Sequence, residues 1–134
     1  MYIIILGAGL PSQSLVSIAL EEGHEVTLIE KDQERAQAVL KQYDIRVLHS
    51  TIAQGGILEE AEANRADALI AATEDDSANL MAMFLGKKLK IQQLVAMINN
   101  TEHQEMFEQL GVQVLVNPEK IIAQRLYDLI EQSS

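Results

Sequence analysis

Short apolar runs alternate along the chain with longer segments whose apolar residues recur at helical spacing. This alternation predicts βαβ units, and runs rich in Val, Ile and Leu are typical of strands buried on both faces of a parallel sheet. The apolar runs predict six strands, at residues 2–6, 25–30, 46–48, 68–72, 93–98 and 113–116. The periodic segments predict six helices, near residues 12–22, 33–42, 56–62, 76–88, 102–110 and 118–131.

These elements fill the chain and leave no linker, repeat or low-complexity tract. A length of 134 residues with 48% hydrophobic content suits one domain with its own core, so a single domain over residues 1–134 is expected. Right-handed crossovers would order the strands 3-2-1-4-5-6. The predicted fold class is therefore α/β: a Rossmann-like, doubly wound, parallel six-stranded sheet.

Charge and composition narrow the range of partners and locations. Twenty acidic against ten basic residues give a formal charge of −10, which repels phosphate backbones and argues against nucleic acid as a partner. The absence of cysteine excludes disulfides and thiolate chemistry and fits the cytoplasm. The apolar opening MYIIIL is far shorter than the roughly 20 residues of a membrane span, so no direct membrane insertion is expected.

The segment IIILGAGLPSQ joins the first predicted strand to the first helix and carries two glycines of a dinucleotide fingerprint. Gly7 would allow the tight turn, and Gly9 would let a pyrophosphate approach the helix N-terminus, which favours anions. Glu30 follows Gly9 by 21 residues, close to the usual spacing of the acid that binds ribose hydroxyls. A carboxylate there disfavours a 2′-phosphate and so favours NAD over NADP.

The fingerprint is incomplete in its second half. Ser12 stands where the third glycine would allow close packing of helix on strand, and Pro11 removes one backbone N–H from the turn. The alternative is that the glycines merely form a tight strand-to-helix turn and that Glu30 is a solvated strand end.

Four segments of the chain correspond in order and spacing to a known family. YIIILGAG, GHEVTLIEKDQERA, ILEEAEANRADALIAATEDDSANLMA and INNTEHQEMFEQLGVQVLVNPEKIIAQRL resemble the N-terminal domain of RCK proteins, also called TrkA-N, the regulators of potassium conductance. The resemblance implies Rossmann-type domains that sense NAD, NADH or adenine nucleotides and catalyse nothing. It also implies a homodimer or higher ring-like oligomer and a membrane potassium channel or transporter subunit as partner.

The resemblance also assigns residues to the nucleotide site. Ser50 and Thr51 replace a Gly-Asp pair that is common in the family after the third strand. Thr73 corresponds to a position that lines the nucleotide crevice in family members. Asn79 matches an asparagine of the following helix and is either part of the site or a support for that helix. Leu10 and Met97 stand where family members commonly carry arginines, so AMP, ADP or NAD is expected rather than ATP. The expected cofactor-binding residues are Gly7, Gly9, Leu10, Pro11, Ser12, Glu30, Lys31, Ser50, Thr51, Thr73 and Asn79.

No catalytic or metal-binding residues are expected. The three histidines are scattered, and the acidic run of Glu74, Asp75 and Asp76 is better explained by capping of a helix than by a hard cation.

Apolar residues of two helices are candidates for a dimer seam, namely Leu80, Met83, Phe84, Ile121, Leu126 and Tyr127. Two other functions stay open: a degenerate RCK domain that serves oligomerisation only, and a fragment of an NAD-dependent oxidoreductase, although 134 residues leave no room for a substrate domain.

Overall fold

Six parallel strands form one sheet in the order β3-β2-β1-β4-β5-β6 in the computed structural model, which describes residues 1–132. The strands are β1 (Tyr2–Leu6), β2 (Glu25–Glu30), β3 (Arg46–His49), β4 (Ala68–Ala71), β5 (Gln93–Ile98) and β6 (Gln113–Val116). The helices are α1 (Leu10–Glu21), α2 (Gln33–Gln42), α3 (Ile57–Glu60), α4 (Asp76–Lys88), α5 (Gln104–Gln109) and α6 (Pro118–Gln132). The predicted α/β fold and strand order are confirmed.

Strand bounds agree with the sequence prediction to within one residue, whereas three helices differ. Helix α1 begins at Leu10 instead of residue 12, because Gly9 is extended and the chain turns helical directly after it. Helix α3 is only four residues long, since Glu62 adopts a positive φ of 62° and leads into a 3-10 turn at Ala63–Arg65. The predicted helix 102–110 is a 3-10 turn, Thr101–His103, followed by α5.

Strand β1 lies at the centre of the sheet, and all five of its residues are buried. Its side chains alternate between two apolar clusters. Ile3 and Ile5 pack with residues of α1 and α2 on one face, while Ile4 and Leu6 belong to the cluster of α3, α4 and α5 on the other. Burial on both faces explains why the strands are almost continuously apolar.

Helix α6 differs from the other long helices because none of its residues is buried. Ile122, Leu126 and Ile130 are each more than half exposed and lie on an apolar stripe along one side of the helix. No helix among residues 1–132 has both the length and the apolar content that crossing a membrane requires.

The proposed seam residues of α4 need correction. Met83 is fully buried in the core and is not available to a partner, and Leu80 is half-buried and packs against the same core. Phe84 does lie on the surface.

Helix α1 packs on the sheet through Ser12, Val16 and Ala19, which share one face of the helix. Ser12 is fully buried, and its hydroxyl oxygen is without a hydrogen-bond partner among the described residues. The serine at the third-glycine position therefore fits, at the cost of an unsatisfied polar atom.

We expect Ser12→Ala to raise the free energy of unfolding by about 1 kcal/mol or more, because a buried hydroxyl without a partner costs roughly 1–3 kcal/mol. Urea denaturation measures the change. Ser14→Ala on the exposed side of α1 is the matched control and should yield only the helix-propensity gain of about 0.5 kcal/mol. Destabilisation by Ser12→Ala would contradict the assignment.

Candidate functional site

The turn between β1 and α1 requires glycine at its first position. Gly7 has a φ of 102°, which side chains rarely allow, and its N–H donates to the carbonyl of Ile29 at 2.9 Å. A Cβ at Gly7 would lie 3.0 Å from Cγ2 of Thr73 and 3.1 Å from the carbonyl oxygen of Ala72. The turn after β1 is thus packed closely against the loop after β4, where the strand order reverses.

Gly9, in contrast to Gly7, has open space around the position of a Cβ. Its backbone is extended, and a Cβ there would meet only Cδ of Pro11, at 3.8 Å. Gly9 precedes the first turn of α1 and has no side chain with which to cap it, so the first N–H groups of the helix lack a side-chain acceptor from that residue. The backbone at Gly9 is therefore open to the approach of an anion.

Glu30, the last residue of β2, is only 5% exposed. Its Oε1 accepts the N–H of Ala8 at 2.7 Å and its Oε2 accepts the N–H of Asp32 at 2.7 Å. The carboxylate thus joins the turn after β1 to the start of α2. Each carboxylate oxygen has capacity for a further donor.

The other predicted site residues divide between the surface and the interior. Ser50 donates its backbone N–H to the carbonyl of Glu30 at 3.1 Å, which places the end of β3 beside the end of β2. Lys31, Thr51, Pro11 and Leu10 are exposed, with Leu10 at 81%. Ser12 and Asn79 are fully buried and do not line the surface of this edge.

Asn79 connects the ends of two strands. Its Nδ2 donates to the carbonyls of Thr73 at 3.0 Å and Met97 at 2.9 Å, and its Oδ1 accepts the N–H of Thr73 at 3.1 Å. This geometry gives Asn79 a supporting position behind the crevice. Thr73 is held in place by these bonds and stands opposite Gly7.

The acidic run caps α4, as predicted, through Asp75, whose carboxylate accepts the N–H of Ser77 at 2.9 Å. Asp76 forms a network that the sequence pattern does not predict. Its Oδ1 accepts from the backbone and side chain of Asn99, and its Oδ2 from the N–H of Asn100 and from Nδ1 of His103, all at 2.8–2.9 Å. The Asn-Asn pair directly after β5 was the available signal, because polar side chains at that position reach the same edge of the sheet.

Burial would raise the pKa of the Asp76 carboxyl, but the hydrogen bonds from Asn99, His103 and Asn100 together outweigh it and leave the pKa below its ordinary value. Asp76 is thus a charged anchor for the loop between β5 and α5. Asn99 also donates to the carbonyl of Thr73 at 3.1 Å, which connects this anchor to the crevice.

A parallel sheet of order 3-2-1-4-5-6, with a glycine turn at the point where the order reverses, defines a Rossmann-like doubly wound domain. Residues 3–118 match the TrkA-N domain family, and the chain belongs to this family. The resemblance identified from the sequence is confirmed.

One relative is the Trk system potassium uptake protein TrkA homolog of Methanothermobacter thermautotrophicus, which is 32% identical over 130 residues. The match covers 97% of this chain but only 60% of the relative's length.

Two solved structures share the fold. The GsuK channel bound to NAD has a TM-score of 0.76 at 18% identity, covering 85% of this chain and 21% of its own. The Kef C-terminal domain of Shewanella denitrificans in its AMP-bound form has a TM-score of 0.74 at 21% identity, covering 99% of this chain and 92% of its own.

The two glycines should respond differently to alanine. Gly7→Ala should lower the free energy of unfolding by about 1–3 kcal/mol, because a Cβ at positive φ is strained and would crowd Ala72 and Thr73. Gly9→Ala should cost about 1 kcal/mol or less, since alanine is merely a poorer residue before a helix. Thermal or urea unfolding compares them, and equal losses would show that the turn is not as described.

Acidification should remove the contribution of Asp76 to stability. Because the pKa of the folded state lies below that of the unfolded chain, the contribution is complete above the ordinary pKa of about 3.9 and is lost as pH falls through the folded value. Asp76→Asn should therefore lower the free energy of unfolding by about 2–3 kcal/mol at neutral pH, because the charged hydrogen bonds are lost. Below about pH 4 this loss should become progressively smaller, because protonation removes the charge of Asp76 in the unmodified chain as well. Urea unfolding across pH measures the difference, and a cost independent of pH would contradict the prediction.

Proposed function

We propose that this chain is a regulatory domain that binds NAD, NADH, AMP or ADP and controls a potassium transporter or channel. Its membership of the TrkA-N family and its relative named as a potassium uptake protein support the regulatory role. Fold neighbours described as bound to NAD and to AMP support the ligand class. The domain acts by binding instead of by catalysis, in the cytoplasm, next to the membrane partner.

The observation that carries the nucleotide proposal is the pairing of an open Gly9 with a fixed Glu30. A phosphate group fits where the backbone of Gly9 has no side chain over it, at the N-terminus of α1. The carboxylate of Glu30, held by Ala8 and Asp32, has acceptor capacity for ribose hydroxyls. The parallel sheet places both groups at the same edge, where strand order reverses.

Local charge favours a ligand with few phosphates. Leu10 and Met97 supply no cation, and the loop opposite the glycine turn carries Glu74 and Asp75. The net charge of −10 adds long-range repulsion of each further phosphate. We therefore expect ATP to gain little over AMP or NAD.

A degenerate domain that serves association only is the second candidate. Glu30 favours it, because the side chain is nearly buried and both its oxygens already accept a backbone N–H. The orphaned hydroxyl of Ser12 at the third-glycine position points the same way. A chain without nucleotide affinity, but with intact self-association, would establish this second function.

Self-association is proposed through α6. Its apolar stripe lies on a helix with no buried residue, so folding of one chain leaves the stripe exposed to water. A second copy that covers the stripe would remove this apolar surface from solvent. The partner assembly is thus a homodimer or a larger ring.

Isothermal titration calorimetry with NAD, NADH, AMP, ADP and ATP tests the nucleotide site. We expect binding of NAD or AMP, with ATP no more than about tenfold tighter, since no arginine pairs its extra phosphates. Gly9→Val should abolish binding and leave the fold intact, whereas Ser14→Ala should bind as the unmodified chain does. An affinity for ATP more than tenfold higher than the affinity for AMP would contradict the charge argument. Failure to bind any of the nucleotides would favour the second candidate, a domain that serves association only.

Sedimentation at tens of micromolar protein tests the α6 dimer. Leu126→Glu should dissociate it, because a charge in an apolar seam is costly to desolvate. Gln124→Glu adds the same charge on the polar side of α6, and this control variant should remain a dimer. Higher salt should strengthen association modestly by screening the charge of −10, so dissociation in high salt would show that ion pairs hold the dimer.

A further inference from the structure

Strands β4, β5 and β6 differ from the rest of the sheet in how their two faces are covered. On one face, residues such as Ala96 and Val114 belong to the apolar cluster of α3, α4 and α5. The residues between them point to the opposite face, on which α1 and α2 pack against β1, β2 and β3. Val95, Met97 and Leu115 lie on that face, and they belong to neither of the two apolar clusters of residues 1–132.

These side chains continue into one apolar patch with Ile70, which we call the open face. The strand register places Ile70 beside Val95 and Met97 beside Leu115. Leu115 is 45% exposed, and the other three are half-buried between neighbouring strands. The remaining positions of β5 and β6 on this face are glutamines, so the open face carries no charge. An uncharged apolar patch on a parallel sheet is typical of a surface that packs against a helix.

Helix α6 carries an apolar surface that fits this patch. Ile122, Leu126 and Leu129 are spaced by four and three residues, so they lie along one side of the helix. None of the residues of α6 is buried, which means that the helix does not pack closely on the sheet. The chain thus holds an apolar helix stripe and an apolar sheet face that are both left in contact with water.

We infer that α6 folds back on its own chain and packs its apolar stripe on the open face. The helix follows β6 directly, so the tether holds it near this face at an effective concentration far above that of a second chain in dilute solution. Burial of the two apolar surfaces drives the closure. In the closed position, helices cover both faces of both halves of the sheet, as in a complete doubly wound fold.

The joint between β6 and α6 can supply the chain length that this movement needs. Asn117 alone separates the two elements, and a strand and a helix that packs back on it are ordinarily joined by about two to six residues. Closure therefore has to open the first turn of α6. The bonds of that turn are long, because the N–H groups of Lys120 and Ile121 donate to the carbonyl of Asn117 at 3.1 and 3.3 Å. Residues 121–132 remain helical over about 18 Å, enough to cover strands of four to six residues.

Closure and the α6 dimer exclude one another, since both bury the same stripe. At low protein concentration the tethered helix closes on its own sheet, whereas rising concentration favours the dimer by mass action. The closed helix is in this way a strap that withholds the stripe from a second copy. The inference does not rest on nucleotide binding, because neither the open face nor the stripe contains a residue of the candidate site.

A single introduced thiol reports whether the open face is covered, because the chain contains no cysteine. The full chain carrying Val95→Cys is treated with iodoacetamide under native conditions, at a concentration where sedimentation shows a monomer. We expect slow labelling. Adding Leu126→Glu should speed labelling by about tenfold or more, since a charge is costly to bury against an apolar face. Adding Gln124→Glu, on the polar side of α6, should leave the rate unchanged.

Disulfide formation identifies which chain supplies the helix. Val95→Cys combined with Leu126→Cys should form a disulfide within one chain, because closure brings the two positions within reach of each other. Val95→Cys with Gln124→Cys is the matched control and should stay reduced, since position 124 faces away from the sheet when position 126 faces it. Mass spectrometry without reductant separates a disulfide within one chain from one between two chains, and circular dichroism of the reduced variants checks that each is folded.

Three results would overturn the inference: equal labelling rates with and without Leu126→Glu, no disulfide in the Val95→Cys, Leu126→Cys chain, or a disulfide found only between chains. The last result would show that a second copy supplies the helix. Nucleotide titrations of the Leu126→Glu variant keep this inference separate from the proposed function. Retained binding with fast labelling supports the strap and leaves the nucleotide site intact, whereas lost binding with an unchanged labelling rate counts against both.

Discussion

The candidate site depends on the hydrogen bonds that the carboxylate of Glu30 accepts. The carboxylate is nearly buried, and it accepts the N–H groups of Ala8 and Asp32, so that the turns after β1 and β2 are tied to one another. A carboxylate in that position has to be hydrogen-bonded, since an unpaired buried charge is strongly unfavourable. The same bonds that satisfy Glu30 therefore hold the glycine turn in its open shape before any ligand arrives.

From that turn the polar contacts continue across the sheet. Gly7 packs against the loop that carries Thr73, and Asn79 and Asn99 each donate to the Thr73 carbonyl. Asp76 then holds the loop after β5. Side-chain hydrogen bonds to backbone groups thus connect the carboxyl ends of β1, β2, β4 and β5. These bonds favour a rigid, preorganised edge of the sheet.

The surface proposed for association, the apolar stripe of α6, differs in kind from this edge. The edge is polar and keeps hydrogen-bonding capacity at the start of α1 and at Glu30, whereas the stripe of α6 is apolar and lies on a helix without a buried residue. With a net charge of −10, attraction between copies has to come from apolar contact.

The sequence was enough for the strands, their order and the glycine turn, but not for the bounds of α1, α3 and α5. Continuous apolar runs predict doubly buried strands, the Rossmann-like pattern implies their order, and the spacing of Gly7, Gly9 and Glu30 predicts a turn with a nearby acid. Asp75 was predictable as a cap because its partners are two and three residues away. These features depend on neighbours in sequence or on rules of chain connection.

Only the tertiary structure decided which side chains face a partner and which face the core. Met83 and Phe84 are adjacent in sequence, yet one is fully buried and the other exposed, because the sheet covers one side of α4 alone. The partners of Asp76 lie 23 to 27 residues away, and whether Ser12 finds a partner depends on the packing of α1 against the sheet. Sequence determined the strands and the shape of the turn, since those follow from local chain geometry, and the strand order followed from the doubly wound fold class that the pattern indicates. Hydrogen-bond pairing and exposure required the fold, because both depend on where distant segments come together in space.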